Sequence, residues 1–541
     1  MIKINQLAHE YDSAWPQFSL ETIIRGHAAR HPDKPAVIDG QRDVTISYRE
    51  LVEQGDRLAA ALAARGISQG DTVAVQLPNW WEFVPLYLAL TRLDAVICPV
   101  APAYRKFELS HIIATADVKA IVVPGQYRGR DYVAQVAESL REIGREPGSL
   151  ACVYAGEAPR DVPGWAEPLD DLLADTTSEL PPRPEVDLDA AHMILFTSGT
   201  ESRPKAVVHT HNTSNYSLTV CSPLWGMNGD HVVLVAAPVS HGTGFHWCSR
   251  IGLFQGSTLV MMESWSAEEA ARLIRAFGCS FTYAPTRFLQ DLLDYARTLP
   301  DAERFAFDTF ASGGSPIPRQ YVQDAMELMS CKLLATYGMT ECFVATSTRL
   351  TDAAGKIAST DGKQIADPVQ VEIVDGEMKP VPYGEPGVLR TRGPHVAAGY
   401  LDPAGQVNPF GENGWLWTGD QCVMDDSGYI RVVGRVKEII IRNGRNISPA
   451  EIEEQLLKSP AVAAACVVGL PDELTGERVV AAVVLRDGGQ FTAEDMAARL
   501  RESGMASFKF PERLFVVDSL PHSAVGKLQR NIVRDQLVSG E

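Results

Sequence analysis

The nine cysteines (Cys98, Cys152, Cys221, Cys248, Cys279, Cys331, Cys342, Cys422 and Cys466) form no C-x-x-C pair and no cluster with histidine at zinc-ligand spacing. That absence excludes a sequence-legible zinc site or redox dithiol, and reduced structural thiols of a cytoplasmic protein are expected instead. Positive charge is also scarce. With 49 Lys and Arg against 68 Asp and Glu, the formal net charge is −19, which disfavours phosphate backbones and anionic lipid, so neither nucleic acid nor a membrane is an expected partner. No G-x-x-x-x-G-K-[ST] sequence occurs, so a Walker A loop is excluded. The opening residues, MIKINQLAHEYDSAWPQF, lack a charged region followed by an apolar run, and no signal peptide is expected. A central stretch without Asp, Glu, Lys or Arg, residues 231–249, contains Pro238, His241, Gly242 and Gly244. These residues argue against a spanning helix and for a buried strand running into a loop.

What is present is a globular chain of 541 residues, long enough for three or four lobes or one large domain with an appendage. Ser47-Tyr-Arg-Glu50 reads as a capping box opening a helix with Leu51, Leu58 and Leu62 on one face, ended by Gly66. Strand-like runs at 72–77, 120–123, 231–236, 258–262 and 280–284 alternate with helical patterns at 80–93 and 267–277. This alternation predicts an α/β fold: a large N-terminal body of several subdomains with mostly parallel, buried strands. Beyond about residue 435 the pattern changes to a helix opened by Ser448-Pro-Ala-Glu451, apolar runs at 463–468 and 479–485, a helix near 493–502 and a strand near 514–517. Such a segment makes a small α+β domain, giving a division into 1–434 and 435–541.

Leu195-Phe-Thr-Ser-Gly-Thr-Glu-Ser-Arg-Pro-Lys-Ala-Val-Val-His209 leads an apolar strand into a Ser/Thr/Gly loop holding one lysine. Such loops cradle phosphates with backbone N–H groups and hydroxyls, and alone they are also ordinary turns. Further on stand Thr336-Tyr-Gly-Met-Thr-Glu341, Gly384-Glu-Pro-Gly387, the segment 393–400, Trp415-Leu-Trp-Thr-Gly-Asp420, Gly434-Arg435 and Pro521-His-Ser-Ala-Val-Gly-Lys527. In this order, over nearly the whole chain, they resemble the adenylate-forming superfamily of acyl-CoA synthetases, peptide-synthetase adenylation domains and firefly-type luciferases.

The resemblance implies a two-step reaction. A carboxylate attacks the α-phosphate of Mg-ATP to give an acyl-adenylate, and a thiol, usually that of CoA, then releases AMP. It implies further that the small C-terminal domain is mobile and turns about a hinge at Lys437 between the steps. Thr197, Ser198, Gly199, Thr200 and Lys205 would meet the terminal phosphates; Gly313, Gly314 and Ser315 would lie beside adenine and the acyl group. Thr336, Tyr337 and Gly338 would lead on the nucleotide side to Thr340 at the α-phosphate and Glu341 at Mg²⁺. Asp420 and Arg435 would hold the ribose, and Lys527 would bridge carboxylate and α-phosphate. Gly444 would let pantetheine pass, with Arg442 and Arg445 either near CoA phosphates or simply at the surface. His241 would line the acyl pocket and gate the thiol, or be a satisfied core histidine.

The phosphate loop departs from the superfamily's T-S-G-T-T-G-x-P-K-G: a hydroxyl residue is replaced by Glu201, and two glycines by Ser202 and Ala206. Glu201 repels anionic phosphate, and the lost glycines place side chains where phosphate should approach. Two expectations therefore stand side by side. One is a non-adenylating acyl-CoA ligase that thioesterifies acyl-AMP supplied by a separate adenylating enzyme; the other is a complete ligase with a tolerated loop. An activating enzyme that loads a carrier protein, and a ligand-binding protein without turnover, are the remaining readings. The segment 442–453 resembles ligases for alicyclic or aromatic acids, so the expected substrate is a bulky, neutral, ring-containing carboxylic acid.

Overall fold

The computed structural model describes residues 11, 13–197, 204–314, 317–401, 410–443, 445–472, 474–522 and 528–539. The fold is α/β, and two large sheets with parallel cores build the body. In the first, the strands Lys332–Tyr337, Thr309–Gly313, Phe281–Tyr283, Val232–Val235, Thr258–Met261 and Pro35–Asp39 run parallel side by side. In the second, Ala191–Thr197, Val96–Pro99, Thr72–Val75, Val118–Pro124, Ala151–Ala155 and Ala166–Pro168 do the same, with Lys205–Thr210 and Gly399–Tyr400 added antiparallel at one edge. A parallel strand is covered on both faces, which is why Val232-Val-Leu-Val235 is apolar throughout rather than alternating.

A four-stranded antiparallel sheet (Gln370–Val374, Pro386–Arg392, Leu416–Met424, Ile430–Arg435) completes the body. After a single turn of 3₁₀ helix, Val436–Glu438, which contains Lys437, the chain enters a separate five-stranded sheet with its own core of Ile440, Ile452, Leu456, Val467 and Leu500. The bonds crossing between the two lobes include Gln290 Nε2 to the Ala463 carbonyl at 3.2 Å and the half-exposed pair Arg486–Asp294 at 3.5 Å. Arg431 also pairs with Glu454, and the Ser448 hydroxyl donates to the Val433 carbonyl instead of capping its own helix, Pro449–Leu457.

Most local signals of the sequence agree with the structure. Ser47 caps the helix Tyr48–Ala64 reciprocally with Glu50, Leu51, Leu58 and Leu62 are fully buried, and Gly66 follows at φ +85°. Helices at Ala267–Phe277 and Ala493–Glu502 match the expected bounds. The helix expected from residue 80 begins later, at Phe83–Leu93, because the chain enters through tighter turns in which the Phe83 and Val84 N–H groups donate to the Trp80 and Trp81 carbonyls. All nine cysteines are free and buried. Among the described residues no helix is long and apolar enough to cross a membrane.

Residues 231–249 begin as expected, with the strand Val232–Val235 running into turns over 236–241, but the chain then becomes helical through Gly242–Gly244, a π-helical Phe245–Arg250 and Ile251–Gln255. His241 caps this run, its Nδ1 accepting the Thr243 N–H at 3.2 Å. Gly244 is there for close packing, since a Cβ would collide with the Ala237 carbonyl oxygen.

Candidate active site

In open parallel sheets, ligands gather at the C-terminal ends of the strands. Here those ends belong to Thr309–Gly313 and Lys332–Tyr337, paired so that Gly313 faces Thr336. The Tyr283 hydroxyl donates to Thr336 Oγ1 at 2.6 Å, and Thr336 donates to the Ser312 carbonyl at 3.0 Å. Thr336 is thus engaged by protein groups, and a Cβ on Gly313 would stand 2.5 Å from the Tyr283 hydroxyl. Gly314 follows at φ +83°. Gly338 packs directly on the Phe343 carbonyl, folding the segment 338–343 back on itself.

Antiparallel register sets Asp420 opposite Arg435. The buried Asp420 carboxylate accepts the Arg435 Nε–H at 2.9 Å through Oδ1 and the Tyr337 hydroxyl at 2.7 Å through Oδ2. The Asp420 charge is the largest cause raising the pKa of Arg435. Burial, with that same charge second, pushes the Tyr337 phenol well up. Asp420 lies within a strand and is not a turn cap.

A second group forms where Tyr400 pairs with Val207 at the sheet edge. The Tyr400 hydroxyl donates to Oε1 of the buried Glu341 at 2.6 Å, and Lys205 Nζ sits 5.4 Å from the Tyr400 ring centroid. Burial first, then the Glu341 charge, raises the Tyr400 phenol. Ala206 corrects an expectation: it lies within the strand Lys205–Thr210, 2% exposed, and packs in a cluster with Ile194, Val208 and Ala398. Its methyl group points into the core, on the face opposite Lys205, because strand side chains alternate.

His241 Nδ1 is 2.8 Å from the Thr243 hydroxyl as well as accepting its N–H, so it serves as a helix cap. In the run that it caps, the Trp247 ring stacks on Tyr283 at 5.7 Å. Arg442 pairs with Glu512 at 2.6 Å, and the Arg445 guanidinium lies 4.7 Å from the Phe508 ring centroid. Thr197 ends its strand, but Ser198, Gly199, Thr200, Glu201, Ser202, Ser315, Gly444 and Lys527 lie outside the described residues. Tyr400, His209, His246 and Phe343 have no role by sequence; Tyr400 and His209 end the segments 393–400 and 195–209, His246 lies within 231–249, and Phe343 stands two residues after Glu341.

Five buried histidines, His192, His209, His211, His246 and His395, have lowered pKa values, burial being the main cause in each; His209 falls to about 3. Because their folded pKa values lie below the unfolded value of about 6.5, the unfolded chain takes up more protons as the pH falls through that window. The stability they allow is therefore complete above about pH 6.5 and is lost as the pH falls below it, by up to about 1.4 kcal/mol per ring per pH unit. The urea midpoint should be lower at pH 5 than at pH 7; equal midpoints would mean that the folded rings take up protons after all.

The pattern of the AMP-binding enzyme family matches residues 24–401, and that of the AMP-binding enzyme C-terminal domain matches residues 451–527. A medium-chain fatty-acid–CoA ligase of Escherichia coli K12 is 32% identical over 98% of this chain and 92% of its own. A 2-hydroxy-7-methoxy-5-methyl-1-naphthoate–CoA ligase of Streptomyces carzinostaticus is 32% identical over 98% and 95%. The crystal structure of ATP-bound MatB from Rhodopseudomonas palustris superposes with a TM-score of 0.83 at 26% identity, covering 96% of this chain and 98% of that one. With these matches spanning both lobes, the chain belongs to the AMP-binding enzyme family of adenylate-forming ligases.

Proposed function

We propose that the protein makes an acyl-CoA thioester through an acyl-adenylate, in the cytoplasm, with the adenylating half-reaction weakened or lost and thioester formation retained. The observation that carries the ligase reading is that the segment 337–341 is held at both ends by polar groups: Asp420 and Arg435 at Tyr337, and Tyr400, with Lys205 beside its ring, at Glu341. In the first step a carboxylate oxygen attacks the α-phosphorus of ATP and the bond to pyrophosphate breaks. In the second the CoA sulfur attacks the acyl carbon, the bond to AMP breaks, and the thiol proton passes to water. Asp420 accepts the ribose hydroxyls with Arg435 in support, Thr340 meets the α-phosphate, and Lys527 offsets the charge that accumulates between carboxylate and phosphate. Glu341, a buried carboxylate with phosphate oxygens to share the ion, suits Mg²⁺, which when bound neutralises phosphate charge. Residues 435–541 turn about Lys437, bringing Gly444 and the thiol to the acyl group past His241.

Weak adenylation rests on Glu201 and Ser202. A unit negative charge at 4 Å from phosphate repels by about 4 kcal/mol at an effective dielectric of 20, against roughly 1.4 kcal/mol per factor of ten in rate. The packed Ala206 adds nothing to this, and to that extent favours a complete ligase. A bulky neutral acid, supplied as acyl-AMP by a separate enzyme, suits the aromatic surroundings that Tyr283 and Trp247 create. It also suits the space beside Gly242, where a Cβ would meet only Phe343 within 4 Å.

The test compares benzoyl-CoA formation from benzoate plus ATP with formation from synthetic benzoyl-adenylate; equal rates would show a complete ligase. Glu201→Thr with Ser202→Gly should raise the first rate at least about tenfold and leave the second unchanged, whereas adding Ala206→Gly should contribute nothing. No gain would place the fault outside the loop. Faster transfer to a phosphopantetheinyl carrier than to CoA would favour the carrier-loading reading.

A further inference from the structure

A fully buried chain of side chains joins the Thr340–Glu341 segment to the helix that borders the acyl side. At the end of Lys205–Thr210, His209 Nε2 lies 2.7 Å from the Thr340 carbonyl. A carbonyl only accepts, so Nε2 carries the proton and holds Thr340 by its main chain. Phe343 lies between two imidazoles: its ring centroid is 4.1 Å from His209 at 25° and 3.7 Å from His246 at 6°. Its backbone is at φ +54°, a conformation a bulky side chain adopts only when its surroundings impose it.

His246 is fixed in turn. Arg250 Nη1 lies 2.7 Å from His246 Nδ1, and a guanidinium is only a donor, so Nδ1 accepts. Nε2–H then donates to Ser217 Oγ at 2.9 Å, whose own proton goes to the Ser214 carbonyl at 3.0 Å. Arg250, fully buried, also donates to the Tyr87 hydroxyl at 2.8 Å, Asn215 Oδ1 at 2.6 Å and Ser214 Oγ at 3.2 Å, all neutral acceptors. Each ring therefore has one tautomer and one orientation.

We propose that His209 and Phe343 are positioning residues: the stack His209–Phe343–His246 sets Thr340 and Glu341 in register with the acyl-side helix, so that the acyl group and the α-phosphate are placed together. The proposal rests on the reading that Thr340 meets the α-phosphate. A stack that merely filled space would lose only stability on truncation. A stack that positions loses turnover, and regains it when the ring or the donor is restored.

The test uses the full-length protein with synthetic benzoyl-adenylate and CoA, reading kcat, KM for the adenylate and the melting temperature. His209→Leu and Phe343→Leu should lower kcat about tenfold while KM changes less than about threefold. His209→Gln, which keeps a donor for the Thr340 carbonyl, and Phe343→Tyr, which keeps the ring, should recover kcat to within about threefold of the parent even where melting temperature is not recovered. Parent kcat in His209→Leu, or equal losses in His209→Leu and His209→Gln, overturns the proposal. Thr340→Ala separates the two levels: if its turnover is unimpaired, the reading of Thr340 fails, whereas impaired Thr340→Ala beside unimpaired His209→Leu removes the stack alone.

Discussion

Lys527→Ala should slow acyl-adenylate formation by about 10²- to 10³-fold while changing thioester formation from supplied benzoyl-adenylate by less than about threefold. Only the first step crowds a carboxylate against a phosphate, and one well-placed charge at such a transition state is worth that much. Because Glu201 is proposed to oppose this step, the comparison belongs in the Glu201→Thr, Ser202→Gly background, followed by exchange of pyrophosphate into ATP. The reverse reaction crosses the same barrier, so exchange should fall by the same factor. Comparable losses in both half-reactions would instead make Lys527 a general binding residue and remove the division of labour.

Asp420→Ala should act on both half-reactions, lowering kcat/KM by at least about 10²-fold in each, because nucleotide is held throughout. Hydrogen bonds to a charged group contribute about 1.5 to 3 kcal/mol each, and two ribose hydroxyls are at stake. The same change leaves the Tyr337 phenol without its acceptor and Arg435 without its pair, so the melting temperature should also fall. Asp420→Asn keeps the shape and removes the charge; a thermally normal Asp420→Asn that still loses turnover would tie the loss to the carboxylate. Full activity in either variant would end the ribose assignment.

Much of this was legible in the sequence, for identifiable reasons. Strands such as Val232–Val235 announce themselves because burial on both faces demands a continuous apolar run. Ser47 and Glu50 announce a helix because their chemistry closes on itself within one turn. Asp420 and Arg435 could be named, but their juxtaposition depends on strand register, which no local pattern encodes. The helical run 242–255 is not legible, because Gly242 and Gly244 read as breakers whereas Gly244 answers to the nearby Ala237 carbonyl. Ala206 reads as part of the phosphate loop by motif, whereas strand alternation turns its methyl group into the core. The His209–Phe343–His246 stack was out of reach altogether, since three different elements supply its rings.

The lobe crossing at Gln290–Ala463 and Arg486–Asp294 has an energetic consequence. A half-exposed ion pair with its atoms 3.5 Å apart contributes about 0 to 1 kcal/mol, comparable to thermal energy, and salt screens it further. A pair of that strength adds little to a lobe contact that also includes Arg431–Glu454 and the Ser448 hydroxyl on the Val433 carbonyl. Under the proposed turn about Lys437, this outlying pair parts at little cost, whereas Arg431–Glu454 and Ser448–Val433 lie beside the turning point.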